Sequence, residues 1–568
     1  MTERGITEGF SRYLTHSGPV LPAWQRSLND RLFSCVAVED AWIARLWEGE
    51  CVEWETGPVR PFDEAGRVCI CIPMAMGLGE AEYMPSGEFL LSIGDELVME
   101  FHAVKYSTLW RREEARFYYE VKRKVTRPET ATAGMGYLLL PARFSQRAGQ
   151  PLSLRLHNRK RSYTRKHNSR VSDRWVRIDG RPDVEGRAFL DWGLAAVQGE
   201  PERASWDGRT LYFGDLHSHS GRIESLYRRG EREFLRGGNC GIGEPDDWYH
   251  YARHISRLDF FSLTDHHRTT EERLTCGMTE ADWAYRLEMV RKWDAPDFAP
   301  IPGMELVKRD AGHWNAYFRE AAPAYPPPEE LPFPEVQQIL HERYRDGTVM
   351  LVPHQTSTYC CRPINWDLYD PSLSPVVEIY SHWGSDEYFG NPLQCREVDV
   401  NPHCFVDVAL KRGHRMGFIG STDEHGGAPG DGVTFLNPLG AGLACVWAPE
   451  LSRESIFDAL RDRWCYATTG ARIVLKFTVN GQALGREIAS GEGPRVIRLE
   501  AEAPERIEEI VLLRNGEEWA VEAGRKATGQ WEWADETGSG KAVDYYYPRV
   551  VLADGETAWG SPVWIGRT

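Results

Sequence analysis

The chain of 568 residues contains no CxxC pair: its 12 cysteines scatter, with Cys69 and Cys71 one residue apart and Cys360 and Cys361 adjacent. Neither a disulfide framework nor a structural zinc knuckle fits such spacing. No run of 18 apolar residues occurs, which excludes a membrane-spanning helix. The first residues, MTERGITEGFSRYLTHSG, lack the apolar stretch of a secretory signal. A soluble, reduced, cytoplasmic protein without a membrane partner is therefore expected. Positive charge is also in deficit, 67 basic residues against 84 acidic ones for a net charge of −17. Nothing general then offsets repulsion from a phosphate backbone, and no nucleic-acid partner is expected. Ser421 lacks a GxSxG elbow, and TGSGKA at Lys541 lacks the first Gly and the Ser/Thr of a Walker loop, so it reads as a turn. What remains is ordinary globular material, 42% hydrophobic, long enough for about three domains.

Histidine marks the middle of the chain. Thirteen of the 17 histidines fall between Trp206 and Gly470, and none follows. Residues 1–205 read as an N-terminal all-β domain, with short strand patterns at RVCICIP (67–73), EFLLSIGDELVM (88–99) and FYYEVKRKV (117–125) separated by Gly and Pro clusters. Residues 471–568 again alternate with period two, and Asn-Gly and Asp-Gly at the turns suggest a C-terminal immunoglobulin-like β-sandwich. Between them, 206–470 interleaves strand-like apolar runs with amphipathic helices expected over 245–256, 279–293, 334–345, 403–411 and 453–464. That alternation predicts a mostly parallel sheet, open or closed into a barrel. The flanking domains either buttress this centre, or one of them roofs its cleft.

The apolar runs of the centre end on one kind of chemistry. LYFGDLHSH ends in His217 and His219, LDFFSLTDHH in Asp265, His266 and His267, and APIPGME in Glu305. TVMLVPH ends in His354, VVEIYSH carries Glu378 and ends in His382, and MGFIGSTDEH ends in Asp423 and His425. One run, GHWNAYF, opens instead with His313. In a parallel β/α architecture the C-terminal strand ends share one face, and in HxH the residues i and i+2 project to the same side. Burying so many ionisable groups without a metal is costly, so the set points to a site for divalent ions such as zinc, manganese or iron.

In order, DLHSHS, TDHH, GME, VPH and STDEH resemble the signatures of the PHP (polymerase and histidinol phosphatase) superfamily, over Leu211 to Gly427. The β-rich flanks, with ESIFDALRDRWCYATTG before the C-terminal segment, are similar to a poorly characterised branch of PHP-like proteins. The resemblance implies a central distorted (β/α)7 PHP-like barrel and two or three divalent metal ions in one cleft. It places His217, His219, Glu305 and Asp423 on a first ion, with Glu305 bridging to a second held by His313 and His354. A third would be held by His266 and His425, with Glu224 where relatives often carry Asp or His. His313 either binds or orients a ligand, and Asp215 is expected to orient a histidine.

The resemblance further implies a metal-dependent hydrolase that cleaves a small phosphate mono- or diester by a metal-bridging hydroxide. Hydrolysis of a C–N or C–O bond, or a non-catalytic metal-stabilised scaffold, are the alternatives. His267 and His382 are the candidate general acids, and Asp423 counts in the catalytic set as well as among the ligands. Arg222 and Arg228, after HxH, and Arg268, after TDHH, are candidates for holding a small anionic substrate; they also read as ordinary solvated loops. The basic stretch 157–177 carries the same two readings. Self-association into a homo-oligomer is left open.

Overall fold

The computed structural model describes residues 44–46, 51–56, 58–59, 67–77, 86–103, 108–123, 131–147, 149–159, 175–178, 203–220, 245–254, 256–267, 278, 280–325, 327, 330–345, 347–359, 362–394, 399–425, 429–430, 442–489, 491 and 493–566. The chain divides into two compact units. One comprises 1–200 with 426–428 and 433–438, the other 201–425 with 429–432 and 439–568. The described residues are mostly β-sheet with few helices. Among the described residues no helix is long and apolar enough to cross a membrane.

The first unit is built of two antiparallel sheets. Six strands run in the order Ala44–Leu46, Trp175–Ile178, Cys69–Gly77, Ala131–Leu139, Ala115–Arg123 and Thr108–Arg112, and four in the order Cys51–Glu55, Ser153–Arg159, Ser86–Ile93 and Glu96–Ala103. EFLLSIGDELVM thus splits into a hairpin that turns at Asp95 and at Gly94, whose φ is 58°. Inward-facing aromatics join the sheets: the Phe101 ring lies 4.8 Å from Phe117 and 5.4 Å from Trp110 across the interface, and 5.3 Å from Phe89 beside it. Alternating inward residues on two facing sheets make a β-sandwich core.

In the second unit, strand Arg209–Asp215 pairs parallel with Phe260–Phe261, and that strand pairs parallel with Ala299–Pro300. On its other side Arg209–Asp215 runs antiparallel to Leu443–Ala448, which is buried at every position, as a strand covered on both faces must be. The same sheet continues through Cys465–Thr468 to Thr557–Gly560 and Val543–Leu552. Two shorter sheets complete the region around the histidines. His266–His267 lies parallel to Gly303–Lys308, followed antiparallel by Gly312–Phe318 and Val349–Pro353. Val376–Ser381 lies parallel to Gly417–Gly420.

The five helices form where the sequence predicts them, over Pro245–His254, Glu280–Trp293, Phe333–Arg343, Val406–Lys411 and Arg453–Arg461. The last is capped by Ser452, whose hydroxyl accepts from Ser455 N at 3.2 Å. The pairings among the described residues do not show a closed (β/α)7 barrel, nor is the sheet mostly parallel. Gly303–Lys308 turns directly into Gly312–Phe318 through Arg309, Asp310 and Ala311, with Gly312 at φ 87°. A hairpin this tight has no room for the crossover helix that a parallel neighbour requires.

Candidate metal centre

Past the end of strand Arg209–Asp215 the chain stays extended, so His217 and His219 project together; their Nε2 atoms lie 3.1 Å apart. Both are buried, at 0% and 1% exposure. Asp423 Oδ1 stands 3.2 Å from His217 Nε2 and 3.1 Å from His219 Nε2. A direct bridge between Ser218 and Glu424 brings the two segments together, with His219 N donating to Glu424 O at 2.8 Å.

Glu305 occupies the middle. Its Oε2 is 3.1 Å from His266 Nδ1 and 3.3 Å from His219 Nε2, while its Oε1 is 3.1 Å from His354 Nε2 and is also paired with His313 Nδ1. The rings of His266 and His425 stack on the His219 ring at 4.6 and 4.3 Å. Three sets of converging ligand atoms result: His217, His219 and Asp423; His217, Glu305 and His354; and His219, His266 and His425.

The donor chemistry fits divalent cations. A neutral imidazole offers one lone pair, and here two Nε2 atoms and a carboxylate oxygen converge where at most a few protons fit. The electrostatics agree. Burial alone would raise the carboxyls of Glu305 and Asp423. The imidazoles around them (His266, His313 and His354 at Glu305; His217, His219, His382 and His425 at Asp423) hold both well below the usual carboxylate range. Burial would likewise lower His217, yet Asp423, Glu378 and Glu305 push it well above its ordinary value. Negative charge gathered this way attracts any cation, a metal ion as readily as a proton. His425 is pushed down to about 3 by burial and His219, and His382 to about 4 by burial, with His217 and His219 adding to it against Asp423. Both are therefore neutral at pH 7, the form that binds metal.

Further groups hold these side chains in place. Asp215 does not touch a histidine ring; it fixes backbone. Its Oδ1 accepts from His217 N at 3.2 Å and Thr422 N at 3.0 Å, and its Oδ2 from Gly430 N at 3.0 Å. Asp265 accepts from Ser220 N at 2.7 Å and Ser220 Oγ at 2.8 Å, and is itself paired with buried Arg286. Gln355 Nε2 donates to Asp423 Oδ2 at 2.6 Å. Glu378 receives the Nδ1 side of His217 at 3.0 and 3.2 Å. Gln355 and Arg286 belong to no metal-ligand motif, so sequence reasoning assigns neither a role, and Glu378 is named there with the metal-ligand chemistry of VVEIYSH but given no role of its own. The only signal was a charged residue inside an apolar run.

Of the residues expected at the site, His217, His219, His266, Glu305, His313, His354, Asp423 and His425 come together. His382 stands at the edge, its ring 6.1 Å from that of His425. His267 does not join them. Successive strand residues face opposite ways, and its ring packs on Tyr325 at 5.1 Å, with burial lowering it to about 4. Glu224, Arg222, Arg228 and Arg268 lie outside the described residues.

The family described as protein of unknown function (DUF3604) matches residues 431–492. An uncharacterised protein of Chlamydia muridarum is 31% identical over 383 residues, covering 62% of this chain and 57% of that protein. Another, from Chlamydia pneumoniae, is 31% identical over 221 residues, covering 35% of this chain and 36% of that protein. The chain thus spans about a third of one of these relatives and just over half of the other. Among solved structures, a two-domain protein from Bacteroides vulgatus containing a predicted PHP-like metal-dependent phosphoesterase is 13% identical with a TM-score of 0.33, covering 64% of this chain and 98% of that one.

Proposed function

We propose that the protein is a metal-dependent hydrolase of the PHP type that cleaves a small, anionic phosphate ester, mono- or diester, at the His/Glu/Asp cluster. The observation that carries this reading is Glu305. Each of its two oxygens faces a different set of imidazoles, His354 and His313 on one side, His266 and His219 on the other. A carboxylate disposed this way would serve as a ligand on both of its oxygens if divalent ions bind there. His217, His219, Asp423, His354, His266 and His425 would complete the sets that hold two or three of them.

Divalent ions in such a cleft supply activated water and a clamp for the ester oxygens. The chain's own residues do the rest. Asp215 and Asp265 fix the backbone on either side of His217 and His219, so that the ligand atoms converge before anything binds. His382, neutral and 4% exposed, presents a buried Nδ1 without a hydrogen-bond partner among the described residues. With its proton affinity depressed, it would keep a lone pair free for a cation at neutral pH and is poorly suited to delivering a proton to a leaving group. His267 is depressed in the same way.

The test is elemental analysis of protein purified without added metal, beside a His217→Ala variant, with both assayed on a chromogenic phosphomonoester and a phosphodiester. Two or more equivalents of transition metal, and hydrolysis that falls to background in the variant, are expected. Metal without hydrolysis of either ester would move the assignment to C–N or C–O bonds. No metal after reconstitution would sink the hydrolase reading and leave a scaffold.

A further inference from the structure

We propose that Glu378 is a positioning residue that sets the tautomer and ring orientation of His217, and thereby the cation affinity of the whole cluster, without being a ligand itself. This rests on the reading of the cluster as a metal site. Glu378 is 1% exposed in a strand, Val376–Ser381, that is buried at every position. Among the described residues its carboxylate takes a side-chain hydrogen bond from His217 alone, with Oε2 at 3.0 Å and Oε1 at 3.2 Å from Nδ1. It belongs to none of the three sets of converging ligand atoms.

A carboxylate taken out of water costs several kcal/mol of solvation unless it is paired, so its one partner matters. A neutral imidazole, the form that can bind a cation, carries its lone pair on Nε2 when it donates Nδ1–H to a carboxylate. In His217 that atom is the one aimed at His219 Nε2 and Asp423 Oδ1, 3.1 and 3.2 Å away. The other tautomer would set a lone pair against the Glu378 carboxylate and put a proton on the Nε2 that a cation would need. The fold holds this arrangement rigidly. Glu378 is in register with Ile419 of the parallel strand Gly417–Gly420, and that strand runs on into Asp423. One small sheet therefore delivers both the ligand Asp423 and the carboxylate that orients His217. His217 in turn is shared by two of the three ligand sets, so a change at Glu378 should reach two ion positions.

The full chain, stripped of metal with a chelator, is titrated with Co2+ while its visible spectrum is recorded, and with Zn2+ against a competing chelator. Five proteins are compared: wild type, Glu378→Gln, Glu378→Asp, His217→Ala and the Glu378→Gln/His217→Ala double variant. Glu378→Gln is expected to bind cation roughly 10–100-fold more weakly and to alter the Co2+ absorption, with Glu378→Asp recovering part of the loss. Because Glu378 acts through His217, adding Glu378→Gln to His217→Ala should weaken binding no further. Wild-type affinity and spectrum in Glu378→Gln would overturn the inference while leaving the metal site standing, as would additive losses in the double variant. If Glu378→Gln fails to fold, the same comparison is made with Glu378→Asp, where wild-type binding again overturns it. If metal-free wild type takes up neither ion, the reading of the cluster falls, and this inference falls with it.

Discussion

Gln355 and Asp423 both hold left-handed backbone conformations, at φ 45° and 52°, and they are hydrogen-bonded to each other. Asp tolerates this region better than most residues, whereas for Gln it costs of order 1 kcal/mol or more. Such strain persists where the surroundings enforce it, and here the enforced result is a carboxylate pinned beside two imidazoles. Gln355→Gly would relieve the backbone and release Asp423 Oδ2. Its folding stability should therefore stay within about 1 kcal/mol of wild type, while hydrolysis drops about 10-fold or more. A denaturant melt and kcat/KM measured on the same preparation check both halves; unchanged kcat/KM would show that Asp423 needs no such restraint. At this scale the sequence is readable for residues that bind and opaque for those that hold. Histidines at the ends of apolar runs announce themselves by type and spacing. Gln355 and Arg286 are ordinary polar residues whose function depends on contacts 68 and 21 positions away along the chain.

Single elements were more legible, because their signals are local. Asn480-Gly481 and Asn515-Gly516 adopt the paired positive φ values, 50° and 75°, then 56° and 79°, that close two-residue hairpins. TGSGKA is a turn, and its contacts explain why. Buried Asp544 accepts from Ser539 N at 3.1 Å, from Asn515 Nδ2 at 2.6 Å, and from Arg495 and Ser539 Oγ. Burial would raise this carboxyl, but the bonds from Ser539, Asn515 and Arg495 bring it down to about 2. A folded value below the unfolded one of about 3.9 means that Asp544 stabilises the fold fully above about pH 4. That contribution is lost as pH falls through about 2. Asp544→Asn should cost about 1.5–3 kcal/mol at pH 7. Urea melts of both proteins at a series of pH values should converge between about pH 4 and 2; a gap that persists at pH 2 would place the stabilisation elsewhere. Strand direction, by contrast, is not a local property. The run GHWNAYF has the composition of any buried strand, and only the three-residue turn before it makes it antiparallel.

Across the second unit, several strands after 470 belong to the same sheet as strands before it, while Val474–Val479, Gln482–Ala483, Arg495–Glu502 and Thr528–Asp535 form a sheet of their own. Cys465–Thr468 pairs with Thr557–Gly560. Glu387, just beyond the strand that carries Glu378, is buried against Arg549, with both oxygens 3.0 Å from its Nη1, and also takes hydrogen bonds from Trp559 Nε1 at 2.8 Å and Tyr547 Oη at 3.1 Å. Period-two patterning with turns every ten residues reads as a separate sandwich, because the pattern records which residues are buried and not what they are buried against. A fragment ending at 470 would leave Glu387 without its cation, a loss of about 3–5 kcal/mol, comparable to the whole stability of an ordinary domain. Residues 201–470 should therefore show no cooperative thermal transition by circular dichroism, whereas residues 201–568 should. A cooperative melt of the shorter fragment would refute that coupling.

The pairing of Arg209–Asp215 with Leu443–Ala448 has a further consequence in time. Leu443 follows Asp215 by 228 positions, so at about 5–20 residues per second a ribosome needs roughly 10–45 s to deliver the partner of a strand already made. Throughout that interval the apolar edge of LYFG stands open, and the ligands of the cluster arrive one strand end at a time, from His217 to His425. An ion that came early would meet only part of its ligand set, able to hold a cation but not to discriminate between metals. If the cluster holds metal, selection among ions would wait until Leu443–Ala448 has been made, when closing the sheet and assembling the site become one event.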